Sequence, residues 1–241
     1  MILAEGLVKS YGRFRAVDGV DLCVEPGEVV ALLGPNGAGK STTIKSLVGL
    51  IRPTAGRVSV CGHDLATQGV KAKASFGYVP DRPYLYPKLS GRELLRFLGR
   101  LRKVVRAEER ATELLRRFEL TESADALVET YSHGMRQRLT FAAALLHEPR
   151  ALIVDEPMVG LDPRGARDVR LLLRAFADDG GALLLTTHSM EVAEAVSDRV
   201  LLMTRGKIVA QGALAELRSR VGSADASLEA IFLQITAGET A

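Results

Sequence analysis

The chain has 241 residues, 47% of them hydrophobic, which is enough for one large domain and excludes a disordered protein. Thirty-two basic residues against 29 acidic ones leave a net charge of +3, too slight and too evenly spread to indicate nucleic acid as a partner. Two cysteines, Cys23 and Cys61, carry no metal-ligand spacing, and both are expected as buried free thiols of a reducing compartment.

Short β-type runs open the chain at Ile2 to Lys9, Ala16 to Val24 and Val29 to Leu33, with Pro26-Gly27-Glu28 turning between the last two. The third run leads directly into Gly34-Pro35-Asn36-Gly37-Ala38-Gly39-Lys40-Ser41-Thr42. A strand followed by this glycine-rich pattern and a helix is a phosphate-binding loop in its required context. Glycines let the backbone turn its N–H groups inward onto phosphates. Lys40 offers a point charge to the β- and γ-phosphates, the Ser41 hydroxyl suits Mg2+, and the helix Lys40 to Leu50 adds its positive end. The loop therefore implies a nucleoside triphosphate, ATP or a relative.

A turn cluster, Arg52 to Gly56, precedes strands at Arg57 to Cys61 and Phe76 to Val79. From about Ser90 to His147 apolar residues recur at helical spacing, as in Leu94, Leu95, Leu98 and Leu101. Within this stretch the Arg-rich segment Arg96 to Arg110 reads as the solvated face of a helix. Afterwards strands and helices alternate: Ala151 to Val154, Arg164 to Ala177, Ala182 to Leu185, Met190 to Val196 and Arg199 to Met203. Such alternation implies a parallel sheet wrapped by helices, an α/β fold with a helical insertion at about 82–148 and a tail at about 212–241.

The strand at Ala151 ends in Asp155-Glu156-Pro157. Carboxylates at the carboxyl end of a buried parallel strand stand where such sheets bind ligands. Asp155 suits the Mg2+ hydration shell, and Glu156 suits a base that takes a proton from water. No apolar run approaches the roughly 20 residues needed to span a bilayer, and no signal peptide is visible.

Together these residues resemble the ATPase subunit of ATP-binding cassette (ABC) transporters. Tyr131-Ser132-His133-Gly134-Met135 corresponds to the family signature, usually Leu-Ser-Gly-Gly-Gln. Gly160-Leu161-Asp162-Pro163 resembles the D-loop, Thr186-Thr187-His188 the switch histidine, and Tyr11 the aromatic that stacks on adenine. The resemblance implies a P-loop NTPase fold, an ABC ATPase core with an antiparallel β subdomain and a helical subdomain insertion, as one nucleotide-binding domain spanning residues 1–241. It implies ATP and Mg2+ as cofactors, with Ser41, Asp81 and Asp155 on the metal, and Glu156, His188 and Lys40 in catalysis. It also implies a second ATPase subunit, whose γ-phosphate Ser132 and Gly134 would meet.

Two departures stand out. Asp81 replaces the Gln that commonly links the γ-phosphate to the membrane partner, and His133 and Met135 alter the signature. The runs after Gly160 and Thr187 and the tail Ser227 to Phe232 look like exporter-type cassettes. The expected partners are integral membrane permease subunits and no nucleic acid, at the cytoplasmic face of the membrane. Pro83-Tyr84-Leu85-Tyr86-Pro87 is a candidate docking segment for such a partner, or plain core packing. The alternative function is a soluble ABC ATPase of translation or DNA repair.

Overall fold

Two sheets and a helical layer organise the computed structural model, which describes residues 1–158, 161–220, 222 and 226–237. The chain opens with an antiparallel hairpin, β1 (Ile2–Tyr11) and β2 (Phe14–Val24), whose tip pairs Tyr11 with Phe14. β4 (Ala55–Val60) adds to the free edge of β1, and β5 (His63–Asp64) to β4.

The second sheet is built around β3 (Val29–Leu33), every residue of which is buried. β8 (Ala182–Thr187) and β9 (Arg199–Thr204) flank it in parallel, then β7 (Ala151–Asp155) and β6 (Phe76–Val79) extend it beyond β8. β10 (Lys207–Gly212) closes the other edge as the antiparallel partner of β9. The expected parallel sheet is present, with this one antiparallel strand added.

Side chains alternate across a strand, so a sheet buried on both faces must feed two cores. Val29, Ala31 and Leu33 join Leu152, Val154, Leu183 and Leu185 against the helical layer. Val30, Leu32, Ile153 and Leu184 face the other way, onto the antiparallel sheet and Ile44 and Leu47 of α1 (Lys40–Leu47). Each fully buried aliphatic side chain of this kind is worth ~1.5–3 kcal/mol.

α1 stops three residues short of the expected Leu50. Gly49 takes a left-handed φ of 67°, and the N–H groups of Leu50 and Ile51 both return to the Lys45 carbonyl, which closes the helix. A short helix, α2 (Gly69–Ser75), and the strand β5 were not foreseen. The helical stretch resolves into α3 (Gly91–Leu101), α4 (Ala107–Arg117), a 3-10 turn at Val128–Thr130 and α5 (His133–Leu145). A capping box starts α3: Glu93 N–H donates to Ser90 Oγ, and Ser90 N–H donates to the Glu93 carboxylate. α5 lies so close to β6 that a Cβ on Gly77 would stand 2.5 Å from the Ala144 carbonyl oxygen.

α6 (Pro163–Asp178), α7 (Met190–Val196), α8 (Leu214–Arg220) and α9 (Leu228–Ala237) bury residues such as Val169, Leu173, Val196 and Leu217 in the same core as α3 to α5. The start of α9 packs inward through Leu228 and Ile231, both buried. The cysteines depart from expectation. Cys23 and Cys61 are free but only half-buried: Cys61 lies past the end of β4 with a φ of 50°, and Cys23 alternates to the outward side of β2.

Candidate functional site

Four parallel strands deliver their carboxyl ends to one cavity of about 410 Å3. Residues 35–42 of the glycine-rich loop come from β3, Asp81 from the end of β6, Asp155 and Glu156 from β7, and His188 from β8. Strand ends of an open parallel sheet are where such folds bind ligands, because the helices that follow start there.

The loop is held from three sides. Gly39 has a φ of 109°, and a Cβ there would stand 2.5 Å from the Ala16 carbonyl oxygen. A Cβ on Gly34 would collide with the Met203 carbonyl oxygen in β9. The β9–β10 turn completes the cradle: Gly206 N–H donates to the Ala38 carbonyl at 2.9 Å, and Asp18 N–H donates to the Gly206 carbonyl at 2.8 Å. Nothing in the local sequence around Gly206 signals this support, because it is a contact between distant segments.

Lys40 is buried, and its ammonium donates to the carbonyls of Gly34 at 2.5 Å and Pro35 at 3.2 Å. Burial pushes its pKa down, while the charges of Glu156 and Asp155 oppose that shift. Asp155 is pushed up, first by burial and then by its acidic neighbours Asp81 and Glu156. A 2.5 Å hydrogen bond from the Thr186 hydroxyl and the charge of Lys40 resist the rise. Burial, aided by Asp155, Tyr84 and Asp81, also holds the Tyr78 hydroxyl up at about 12, so it remains a proton donor in this acidic surround.

Glu156 takes a left-handed φ of 49°, a conformation unfavourable for a residue with a Cβ. Its N–H donates to the Thr186 carbonyl at 3.0 Å, which ties the residue to β8. Its carboxylate Oε2 lies 2.9 Å from His188 Nδ1 and 3.4 Å from His188 N. With Nδ1–H donating to Glu156, Nε2 is the ring nitrogen free for another partner.

The remaining expected residues stand outside this cavity. Ser132 caps α5, its hydroxyl accepting from Met135 N–H at 3.2 Å, and Gly134 is the second residue of that helix. Asp162 caps α6 by accepting from Gly165 N–H at 2.8 Å, and Gly160 lies outside the described residues. Gly34 opens the loop but does not line the cavity. Tyr11 is half exposed with the Lys9 ammonium 5.1 Å from its ring, and it too is absent from the wall. Phe14, paired with Tyr11 across the hairpin tip, lines the cavity together with Ala16. Sequence reasoning passed over Phe14. Its signal was a second aromatic three residues from Tyr11 across a Gly-containing turn.

The donor set suits a hard cation only in part. The Ser41 hydroxyl, Asp81 and Asp155 share the cavity, yet no group of three or more His, Cys, Asp or Glu side chains forms a cage among the described residues. That fits Mg2+, which is held by one or two carboxylates and shared with substrate phosphates. Asp81 and Asp155 would hold it, with Ser41.

Comparison with known proteins gives this geometry a context. Residues 17–159 match the ABC transporter family model. The chain is 42% identical over 224 residues to the daunorubicin/doxorubicin resistance ATP-binding protein DrrA of Streptomyces peucetius, covering 92% of this chain and 68% of that protein. Among solved structures, an ATP-binding subunit of an ABC transporter superposes with a TM-score of 0.92 at 34% identity, over 98% of this chain and 99% of that one. The ATP-binding cassette MJ0796, solved as a post-hydrolysis dimer bound to ADP and Pi, superposes with a TM-score of 0.81 at 26% identity, over 89% of this chain and 99% of that one.

Proposed function

This chain belongs to the ABC transporter family, and we propose that it is the ATP-hydrolysing engine of an exporter whose membrane path is supplied by separate integral permease subunits. Two copies would close on two ATP molecules at the cytoplasmic face of the membrane and reopen after hydrolysis. Relatedness to a drug-resistance ATP-binding protein supports export of a drug-like cargo. The translation or repair alternative finds no support among these relatives.

One observation carries the catalytic part: Glu156 and His188 meet at 2.9 Å on the rim of the cavity that holds the phosphate loop. In this reading the loop N–H groups and Lys40 take the β- and γ-phosphates, and Phe14, with Tyr11 beside it, receives the base. Mg2+, when bound, neutralises phosphate charge. Glu156 takes the proton from the attacking water. His188, oriented through Nδ1, directs Nε2 to the γ-phosphate, and Asp81 and Asp155 provide the oxygens around the metal. Ser132 and Gly134 stand outside the cavity of their own chain, which suits a role on the partner's phosphate, presented by the start of α5. Residues around 82–148 would form the helical subdomain and those from about 212 onward the tail.

Glu156→Gln keeps the shape of the side chain and removes the base. Light scattering in saturating Mg-ATP should then show a stable dimer, with the parent chain in Mg-ADP monomeric. A monomeric variant under those conditions would reject the reading.

A further inference from the structure

The turn between α3 and α4, residues 102–106, has no role in the site described above. Leu101 is 67% exposed and Val105 85% exposed, so both aliphatic side chains stand on the surface. Phe97, one helical turn before Leu101, continues this exposed apolar stripe and stacks edge-on with Tyr86 at 5.7 Å.

Cations frame the aliphatic pair. Earlier on α3, Arg92 pairs with Asp125 and Arg96 with Glu108. Arg100 and Lys103 have no ion pair among the described residues, and Arg106 keeps only a loose, exposed contact with Glu109 at 3.6 Å. The backbone adds an independent observation. Lys103 and Arg106 hold left-handed φ values of 55° and 54°, where glycine would relieve the strain, yet both positions carry exposed basic side chains.

We propose that this turn rests on an anionic lipid surface, with Leu101 and Val105 entering the headgroup boundary and Arg100, Lys103 and Arg106 meeting lipid phosphates. This rests on the reading that the chain works beside a membrane. Protruding aliphatic side chains with exposed cations around them match a shallow interfacial contact. The membrane subunits would hold the cassette in place, and the turn would set its tilt against the bilayer.

The test is co-sedimentation of the full chain with vesicles of phosphatidylcholine containing about one third phosphatidylglycerol, against pure phosphatidylcholine. Each cation near such a surface strengthens partitioning about fivefold. Arg100→Gln/Lys103→Gln should therefore weaken binding to anionic vesicles more than tenfold, and Leu101→Ser/Val105→Ser should weaken it severalfold. Basal ATPase and thermal midpoint should stay as in the parent. Arg116→Gln/Arg117→Gln, which removes the same charge from the far end of α4, should bind like the parent. The proposal is overturned if the tip variants bind as the parent does, or if the control pair loses binding equally. It is also overturned if the tip variants keep vesicle binding but lose association with the membrane subunits, which would make the turn a protein contact. Nucleotide-driven pairing of Glu156→Gln is read without vesicles, so failure here leaves that reading standing.

Discussion

His188 Nδ1 and Glu156 Oε2 lie 2.9 Å apart although 32 residues separate them in the chain. The contact exists because β7 and β8 are adjacent parallel strands with Asp155 in register with Thr186, so Glu156 and His188, the first residues past the two strands, emerge beside each other. Replacing His188 by Ala should lower kcat by about 10²-fold, the ordinary size of a lost proton-transfer or charge-organising group. ATP affinity should change by less than about threefold. Steady-state kinetics with a nucleotide-binding titration separates the two. An equal loss in both would make His188 a binding residue instead.

Asp81 shares the cavity with Ser41 and Asp155, where either a carboxylate or an amide offers an oxygen. Asp81→Gln should therefore keep ATPase activity within about tenfold of the parent, a change of less than ~1.4 kcal/mol in the barrier. A larger loss would show that the charge itself is required.

The cavity wall holds Phe14, whereas Tyr11 lies beside it across the hairpin tip. Phe14→Ala should raise the KM for ATP by about 3- to 10-fold with little change in kcat, as expected for a base that loses one stacking face. Tyr11→Ala should have the smaller effect. The reverse order would return the base to Tyr11.

His147 sits between the helical layer and the sheet. Its Nε2 lies 3.0 Å from the Phe76 carbonyl oxygen and 2.9 Å from Arg102 Nη1, and Nδ1 is buried without a partner among the described residues. Burial, then the Arg102 charge, pushes its pKa from 6.5 down to about 4, against the pull of the Phe76 carbonyl. As pH falls from 6.5 to 4, the unfolded chain takes up a proton that the folded chain refuses, so stability is lost across that window and levels off below it. Denaturant titrations at pH 7 and pH 4.5 should show His147→Gln losing on the order of 1–3 kcal/mol less than the parent. Equal losses would mean that the ring protonates in place.

The parts legible in the sequence were those written in local pattern. An unbroken apolar run before the loop gave β3, and carboxylates after a second run marked the end of β7. The loop itself carries its chemistry in consecutive residues, Gly34 to Thr42. What escaped depends on segments far apart. Gly206 bracing Ala38, and Phe14 rather than Tyr11 on the cavity wall, follow from how the β1–β2 hairpin and the β9–β10 turn pack on the loop. β5, with two residues, and α2, with seven, are too short for periodicity to register. In the segment Pro83 to Pro87, Leu85 packs on the core, while Tyr84 and Tyr86 stay exposed.

Ser132 caps a helix that starts away from its own chain's cavity, so a single copy holds only part of the proposed site. The most direct measurement is specific ATPase activity of the parent chain across a hundredfold range of protein concentration. If two copies complete each other, activity per molecule should rise with concentration and then saturate, and Ser132→Arg should abolish the rise. Constant activity per molecule down to concentrations where the chain is monomeric would contradict the account.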